Sequence, residues 1–336
     1  MQDNLIFLIS TPRSGSTLLM RILNATSHIY SRPEPHMMPA LAHLGFWKTV
    51  DTAPYDQLQA QIAMREFVAD LPKNESDYYD ACRAYCDTLY GRMHAHMGGG
   101  QRYFLDKTPA NALVLPFLTK VYPNAKYIIL TRHPAAIFAS YANSFFDGDY
   151  DAAVKFNPIL SRYIPVVSAF LKNPTAPYVH VTYEGVASNP EGELRRISEF
   201  LDIPFEEDAI NYKKADVAAG LGDPIGVQKH DRPVTSSIHK WAAELASDDF
   251  KFETVANQLS GLSDEELELW GTTREDLWEP MLTVEQGAYK AKKKKWDRYS
   301  SQRRMLVALR KDIHNKPLGR WVKKIRFICD VLLRGS

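Results

Sequence analysis

Three clusters of residues in this sequence have types and spacings suited to holding negative charge. The first is the turn Pro12-Arg13-Ser14-Gly15-Ser16-Thr17. It follows an apolar run over residues 5–9 and precedes Leu18, Leu19, Ile22 and Leu23, spaced as on one helix face. The turn therefore opens a helix, where backbone N–H groups lack partners and the macrodipole adds about half a positive charge. Gly15 lets the backbone come close, the hydroxyls of Ser14, Ser16 and Thr17 donate, and Arg13 adds a fixed cation. Together they form an anion cradle suited to phosphate. It is not the nucleoside-triphosphate loop, which needs a second glycine followed by Lys and Ser or Thr; here the cation precedes a single glycine.

The second cluster is Arg132, at the end of an apolar run, with Ser140 eight residues on. An arginine at a strand end and a hydroxyl on the following helix can grip a second phosphate at a fixed distance from the first. The competing reading pairs Arg132 with a surface acid and leaves Ser140 facing water. The third is Asp106-Lys107-Thr108 in FLDKTP, which puts a cation and a carboxylate at another strand end.

The elements that must position these clusters are βα units. Short β-like runs at residues 5–9, 103–105, 127–130 and 178–181 alternate with helical patterns, predicting a parallel sheet. Pro109 and Pro134 stand where helices start, and Asn189 caps a helix that begins at Pro190 with Leu194, Ile197, Phe200 and Leu201 as its apolar stripe. In such sheets ligands bind beyond the carboxyl ends of the strands, where all three clusters fall. Residues 40–100 carry helical periodicity without a clear strand and read as a helical insertion that covers the site or shapes a pocket beside it; His94 and His96 near its end read as a wet turn. Residues 205–250 read as a long loop, functional or disordered, and 262–282 as short closing helices.

The bulk numbers fit one large globular domain: 336 residues, 45% hydrophobic and 24% charged. Three scattered cysteines do not make a disulfide framework, and Cys82 and Cys86 read as core thiols. No leader and no run of spanning length is apparent, which predicts a cytoplasmic protein. The net charge of +1 hides an asymmetry: residues 290–336 hold sixteen Lys/Arg and three Asp, leaving −12 on the rest. Trp321, Ile325, Ile328 and Leu332 fall on one helical face of that tail. A basic amphipathic extension over 286–336 suits packing on the domain, a peripheral membrane contact or an acidic partner.

The ordered set of motifs resembles the sulfotransferases that use 3′-phosphoadenosine 5′-phosphosulfate (PAPS). TPRSGST is similar to their 5′-phosphosulfate loop, and Arg132 with Ser140 matches the spacing of their 3′-phosphate motif. VTYEGVASNPEGELRRISEFL resembles their tyrosine-bearing strand end and next helix, FLDKTP their lysine-bearing strand end, and SSIHKW the segment closing over the donor. The likeness lies nearer the protein-tyrosine branch than the cytosolic one. It implies an α/β fold, P-loop NTPase-like, with a central parallel sheet flanked by helices, a sulfotransferase domain over 1–285, and no metal. It also implies that Arg13, Ser14, Gly15, Ser16 and Thr17 hold the 5′-phosphosulfate, Arg132 and Ser140 the 3′-phosphate, and that Tyr183 lies near the adenine. Lys107 would sit by the transferred group. The Arg-Lys-Gly triplet of the cytosolic branch is absent; Lys229 and Arg232 lie in its region.

Sulfuryl transfer resembles in-line phosphoryl transfer, so positioning and electrostatics dominate and Arg13, Lys107 and the helix N-terminus should face the leaving phosphate. The acceptor must lose a proton to a general base. Glu34, stiffened between Pro33 and Pro35, is the expected base, as an acidic segment supplies a glutamate in the protein-tyrosine branch. His36 is its orienting partner or the alternative base, and His239 a lesser candidate. A structural pair of Glu34 with Arg32 or Lys107 is the competing reading. The apolar run Met37, Met38, Leu41, Leu44, Phe46 and Trp47 points to a small-molecule or lipid-like acceptor, with an acyl or glycolipid hydroxyl, and no nucleic-acid partner. A magnesium-dependent small-molecule kinase using Asp106, and a non-catalytic anion- or membrane-binding protein, are the alternatives.

Overall fold

The structure, a computed structural model, describes residues 1–44, 46–47, 57–97, 100–212 and 231–284, with Pro317, Trp321 and Ile325 beyond them. Five parallel strands form the centre: β1 (Leu5–Ser10), β2 (Ile29–Pro33), β3 (Tyr103–Lys107), β4 (Lys126–Thr131) and β5 (Tyr178–Thr182). The fourteen described α-helices are α1 (Ser16–Asn24), α2 (Met37–Ala42), α3 (Gln57–Ala69), α4 (Glu75–Met97), α5 (Leu115–Val121), α6 (Pro134–Phe145), α7 (Tyr150–Phe156), α8 (Ile159–Lys172), α9 (Tyr183–Ser188), α10 (Pro190–Leu201), α11 (Lys240–Leu245), α12 (Asp249–Leu259), α13 (Asp264–Leu269) and α14 (Glu279–Leu282).

The strand order is β2-β3-β1-β4-β5. The chain leaves β1 towards β2 on one side, and the β3-to-β4 connection crosses to the other. β1 thus lies at the switch point where open α/β sheets leave a crevice. The burial of β1 explains its composition: all six residues are buried because helices cover both faces. Leu5, Phe7 and Ile9 enter one core with residues of α4, α5, α6 and α8, while Ile6 and Leu8 enter the other with α1, α9 and α10.

The α/β class agrees with the sequence expectation, and the four expected strands form as β1, β3, β4 and β5. β2 was not among them. It is a five-residue edge strand ending in Pro33, and its pairing with β3 alone is a tertiary fact. The expected α10 start is present: the Asn189 side chain accepts from Gly192 N, and Leu194, Ile197 and Leu201 are buried. The expected wet turn is corrected, since His94 and His96 lie on α4 and the His94 ring packs edge-on to Phe104 at 6.0 Å. Cys82 and Cys86 are buried, free and in the core.

Within the expected 205–250 loop, the described parts include two 3₁₀ turns (Glu207–Ile210 and Thr235–Ser237) and α11. Among the described residues no helix is long and apolar enough to cross a membrane. Of the basic tail only Trp321 and Ile325 from its expected apolar face are described, both exposed; the rest lies outside the described residues.

Candidate active site

After Ser10 the chain turns through residues 11–15. The hydroxyls of Thr11 and Ser14, both fully buried, hydrogen bond to each other. Arg13 and Gly15 adopt left-handed backbone, φ 73° and 89°, and α1 begins at Ser16. Gly15 is required twice, because a Cβ there would also overlap the Tyr183 ring. The left-handed geometry at Arg13 costs about 1–2 kcal/mol. It is held by bonds at both ends: Arg13 Nε donates to Ser140 Oγ at 3.2 Å, and its carbonyl accepts from Arg132 Nη1 at 3.0 Å. The Arg13 guanidinium also lies 5.8 Å from the Phe145 ring centroid.

Arg132 is only 9% exposed. Its guanidinium stacks over Tyr183 at 4.1 Å and its Nη2 donates to the Ser237 carbonyl at 3.0 Å. Burial pulls its pKa down from the usual arginine value, against the opposing pull of Tyr183 and Glu184. Its buried Nε has no hydrogen-bond partner among the described residues. Behind it the His133 amide donates to Glu184 Oε1 at 3.1 Å, and the His133 ring stacks on Trp241. Tyr183 is itself buried against Gly15, so in this structure its ring is the platform beneath Arg132.

The second half of the site lies on the other side of β1. Lys107, 1% exposed, directs its ammonium to Glu34 Oε1 at 2.6 Å, and His36 Nε2 lies 3.3 Å from Glu34 Oε2. The β2–β3 register explains the meeting: Pro33 sits opposite Lys107, so the next residue reaches across the strand end. Arg32, the other partner considered for Glu34, contributes no described side chain. Asp106 points the opposite way into the core, where Tyr90 Oη and Thr108 Oγ1 donate to its two oxygens at 2.5 and 2.7 Å. Full burial raises its pKa, and those hydroxyls pull it back. A carboxylate so enclosed serves here as the acceptor for two hydroxyls. Burial raises the pKa of the Tyr163 phenol on α8; Arg162 opposes this and the Glu34 charge adds to it.

Along the sheet edge the order is Glu34 with His36, then Lys107, then the residue 13–17 turn, then Arg132 with Ser140, then Tyr183. β2 and β4 are three inter-strand steps of about 4.8 Å apart. Arg13, Gly15, Ser140, Arg132 and Tyr183 are in mutual contact; Ser16 and Thr17 follow on the first turn of α1. Arg232 is exposed, and its backbone carbonyl accepts from Tyr212 Oη at 3.3 Å. Lys229 lies outside the described residues. His239 is exposed beside His133 on the Arg132 side, away from Lys107.

The apolar run expected to line an acceptor pocket is mostly consumed by the core. Met38, Leu41 and Phe46 are buried, with Phe46 against Tyr78 at 4.3 Å, while Leu44 stays exposed. Ser237, Glu184 and Phe145 also neighbour the site and were not expected there; of these only Glu184 had a signal, since it adjoins Tyr183. Thr108 was named with Asp106 and Lys107 but without a role of its own.

A profile of the sulfotransferase family matches residues 5–207. Nodulation protein NoeE of Sinorhizobium fredii is 34% identical over 139 residues, 41% of this chain and 31% of that protein. Protein-tyrosine sulfotransferase A of Caenorhabditis elegans is 24% identical over 262 residues, 72% of this chain and 62% of that protein. The chain thus spans between about a third and two thirds of these two relatives. The sulfotransferase domain from the curacin biosynthetic pathway shares the fold, with a TM-score of 0.51 at 23% identity over 76% of this chain and 96% of that one.

Proposed function

Because the chain belongs to the sulfotransferase family, we propose that it transfers a sulfuryl group from PAPS to an acceptor hydroxyl by in-line displacement. The observation that carries this reading is the meeting of Arg13 and Arg132, residues 119 positions apart, in one hydrogen-bonded cluster with Ser140. A doubly phosphorylated adenosine needs two anion sites at fixed separation. The residues fit such a ligand: the Gly15 cradle admits no Cβ, and Arg132 keeps a buried donor, Nε, without a partner among the described residues. Arg13, Ser14, Gly15, Ser16 and Thr17 would hold the phosphosulfate, and Arg132 with Ser140 the 3′-phosphate.

Charge develops on the departing phosphate oxygen, and cations preset nearby are worth most where water is excluded. Arg13, Lys107 and the α1 N-terminus supply them. Glu34 would take the acceptor proton, with His36 bracing its second oxygen. The Glu34–Lys107 pair, considered from sequence as a structural alternative, is compatible with this role, because a bound phosphosulfate gives Lys107 a second anionic partner. The acceptor is a hydroxyl on a lipid-like, acyl or glycolipid molecule. Support for that class is the apolar character of residues 37–47, of which Leu44 remains exposed and Met37 and Trp47 half-buried.

Calorimetric titration with adenosine 3′,5′-bisphosphate tests the donor half. Wild type should bind, and Arg132→Ala should bind at least tenfold more weakly. Absence of binding by wild type, or tighter binding of ATP with magnesium, would sink the reading. Labelled donor incubated with cell extract then identifies the acceptor.

A further inference from the structure

Thr108 is fully buried and makes two bonds of opposite sense. Its hydroxyl proton goes to Asp106 Oδ1 at 2.7 Å, and its oxygen accepts from the His36 backbone N–H at 3.4 Å. A hydroxyl has one proton, so an acceptor on one side forces a lone pair to the other. Asp106 therefore dictates which way Thr108 faces. On the receiving side, His36 is a non-glycine residue at φ 53°, and it joins β2 to α2. That left-handed backbone persists only when neighbours hold it. The same short segment carries Glu34, whose two oxygens meet Lys107 and His36.

We propose that Thr108 is a positioning residue for the reaction: oriented by Asp106, it pins the His36 amide and so fixes the strained turn that aims Glu34 at the transfer site. This rests on the assignment of Glu34 as base. The coupling runs through backbone, so Thr108 need touch neither donor nor acceptor. Tyr90 supplies the internal control. It donates to the other oxygen of the same carboxylate but has no described bond to His36.

The test uses the full chain with Thr108→Val, Thr108→Ser, Tyr90→Phe and Glu34→Gln. Hydrogen exchange over residues 34–38 reads the turn directly. We expect the His36 amide to exchange at least tenfold faster in Thr108→Val, to be restored in Thr108→Ser, and to stay protected in Tyr90→Phe. Turnover of labelled PAPS with 1-dodecanol as probe acceptor, an apolar hydroxyl that must lose its proton to a base, reads the consequence. Thr108→Val should lower kcat about tenfold with donor KM unchanged, and should have no further effect on a Glu34→Gln background. Thermal midpoints identify loss of fold, and Thr108→Ser keeps the comparison valid if Thr108→Val unfolds. Unchanged exchange in Thr108→Val overturns the proposal. So do equal kcat losses in Thr108→Val and Tyr90→Phe, or the same loss with and without Glu34. A wild-type rate that Glu34→Gln leaves untouched instead overturns the base assignment.

Discussion

Lys107 is 1% exposed, and its ammonium meets the Glu34 carboxylate at 2.6 Å. Removing one partner of a buried pair strands the other, at about 3–5 kcal/mol when both are fully buried. Glu34 keeps some exposure, so Glu34→Ala is expected to destabilise by about 3 kcal/mol, read from a denaturant midpoint. Glu34→Gln keeps an oxygen towards Lys107 but cannot take a proton. It should spare bisphosphate binding and reduce turnover roughly 10²–10⁴-fold. His133 gives a pH prediction. Desolvation in the stack on Trp241 lowers its pKa to about 4 from the usual 6.5. The unfolded chain then binds the proton more readily, so stability is retained above pH about 6.5 and falls as pH drops towards 4. His133→Gln should flatten that part of the stability–pH curve, and an unchanged slope would show that other groups set it. These residue types were legible as a list. Arg13, Lys107 and Arg132 stood out because each lies at or just beyond an expected strand end and carries charge, and Glu34 because it stands between two prolines. Thr108 and Ser237 did not, because a hydroxyl and a carbonyl have no signature until a partner faces them.

At the scale of elements, α1 is the part whose start matters most. Gly15→Ala must both force a side chain into left-handed backbone and displace the Tyr183 ring. It is expected to weaken bisphosphate binding and lower the thermal midpoint together. Wild-type binding in a folded Gly15→Ala protein would show that the turn is not the anion cradle. The caps are more local: Asn189→Ala, which loses the bond from Gly192 N, should cost about 1 kcal/mol with no change in binding. Strands β1, β3 and β4 were readable because both faces are buried and their runs are apolar. β2 was not, because Ile29-Tyr30-Ser31-Arg32-Pro33 has only two apolar residues before Ser, Arg and Pro; what makes it a strand is the adjacent β3.

Across the whole molecule, charge divides sharply between a tail of +13 over residues 290–336 and a remainder of −12. A segment this basic is expected to sediment with anionic vesicles and not with neutral ones, in a salt-dependent way. Truncation after residue 285 should abolish that while sparing bisphosphate binding; equal sedimentation with neutral vesicles would remove the electrostatic basis. The sequence alone determined the α/β class, the strand-end location of the chemistry, and the types of residue available. Those properties depend on local periodicity and on the few residues that tolerate a tight turn. The tertiary structure decided which residues meet. It brought Arg132 to the carbonyl of Arg13 and Glu34 to Lys107, and turned Met38, Leu41 and Phe46 inward as core. Strand order and register fix such meetings, and they arise from burying two faces of one sheet at once, a constraint that no single stretch of chain contains.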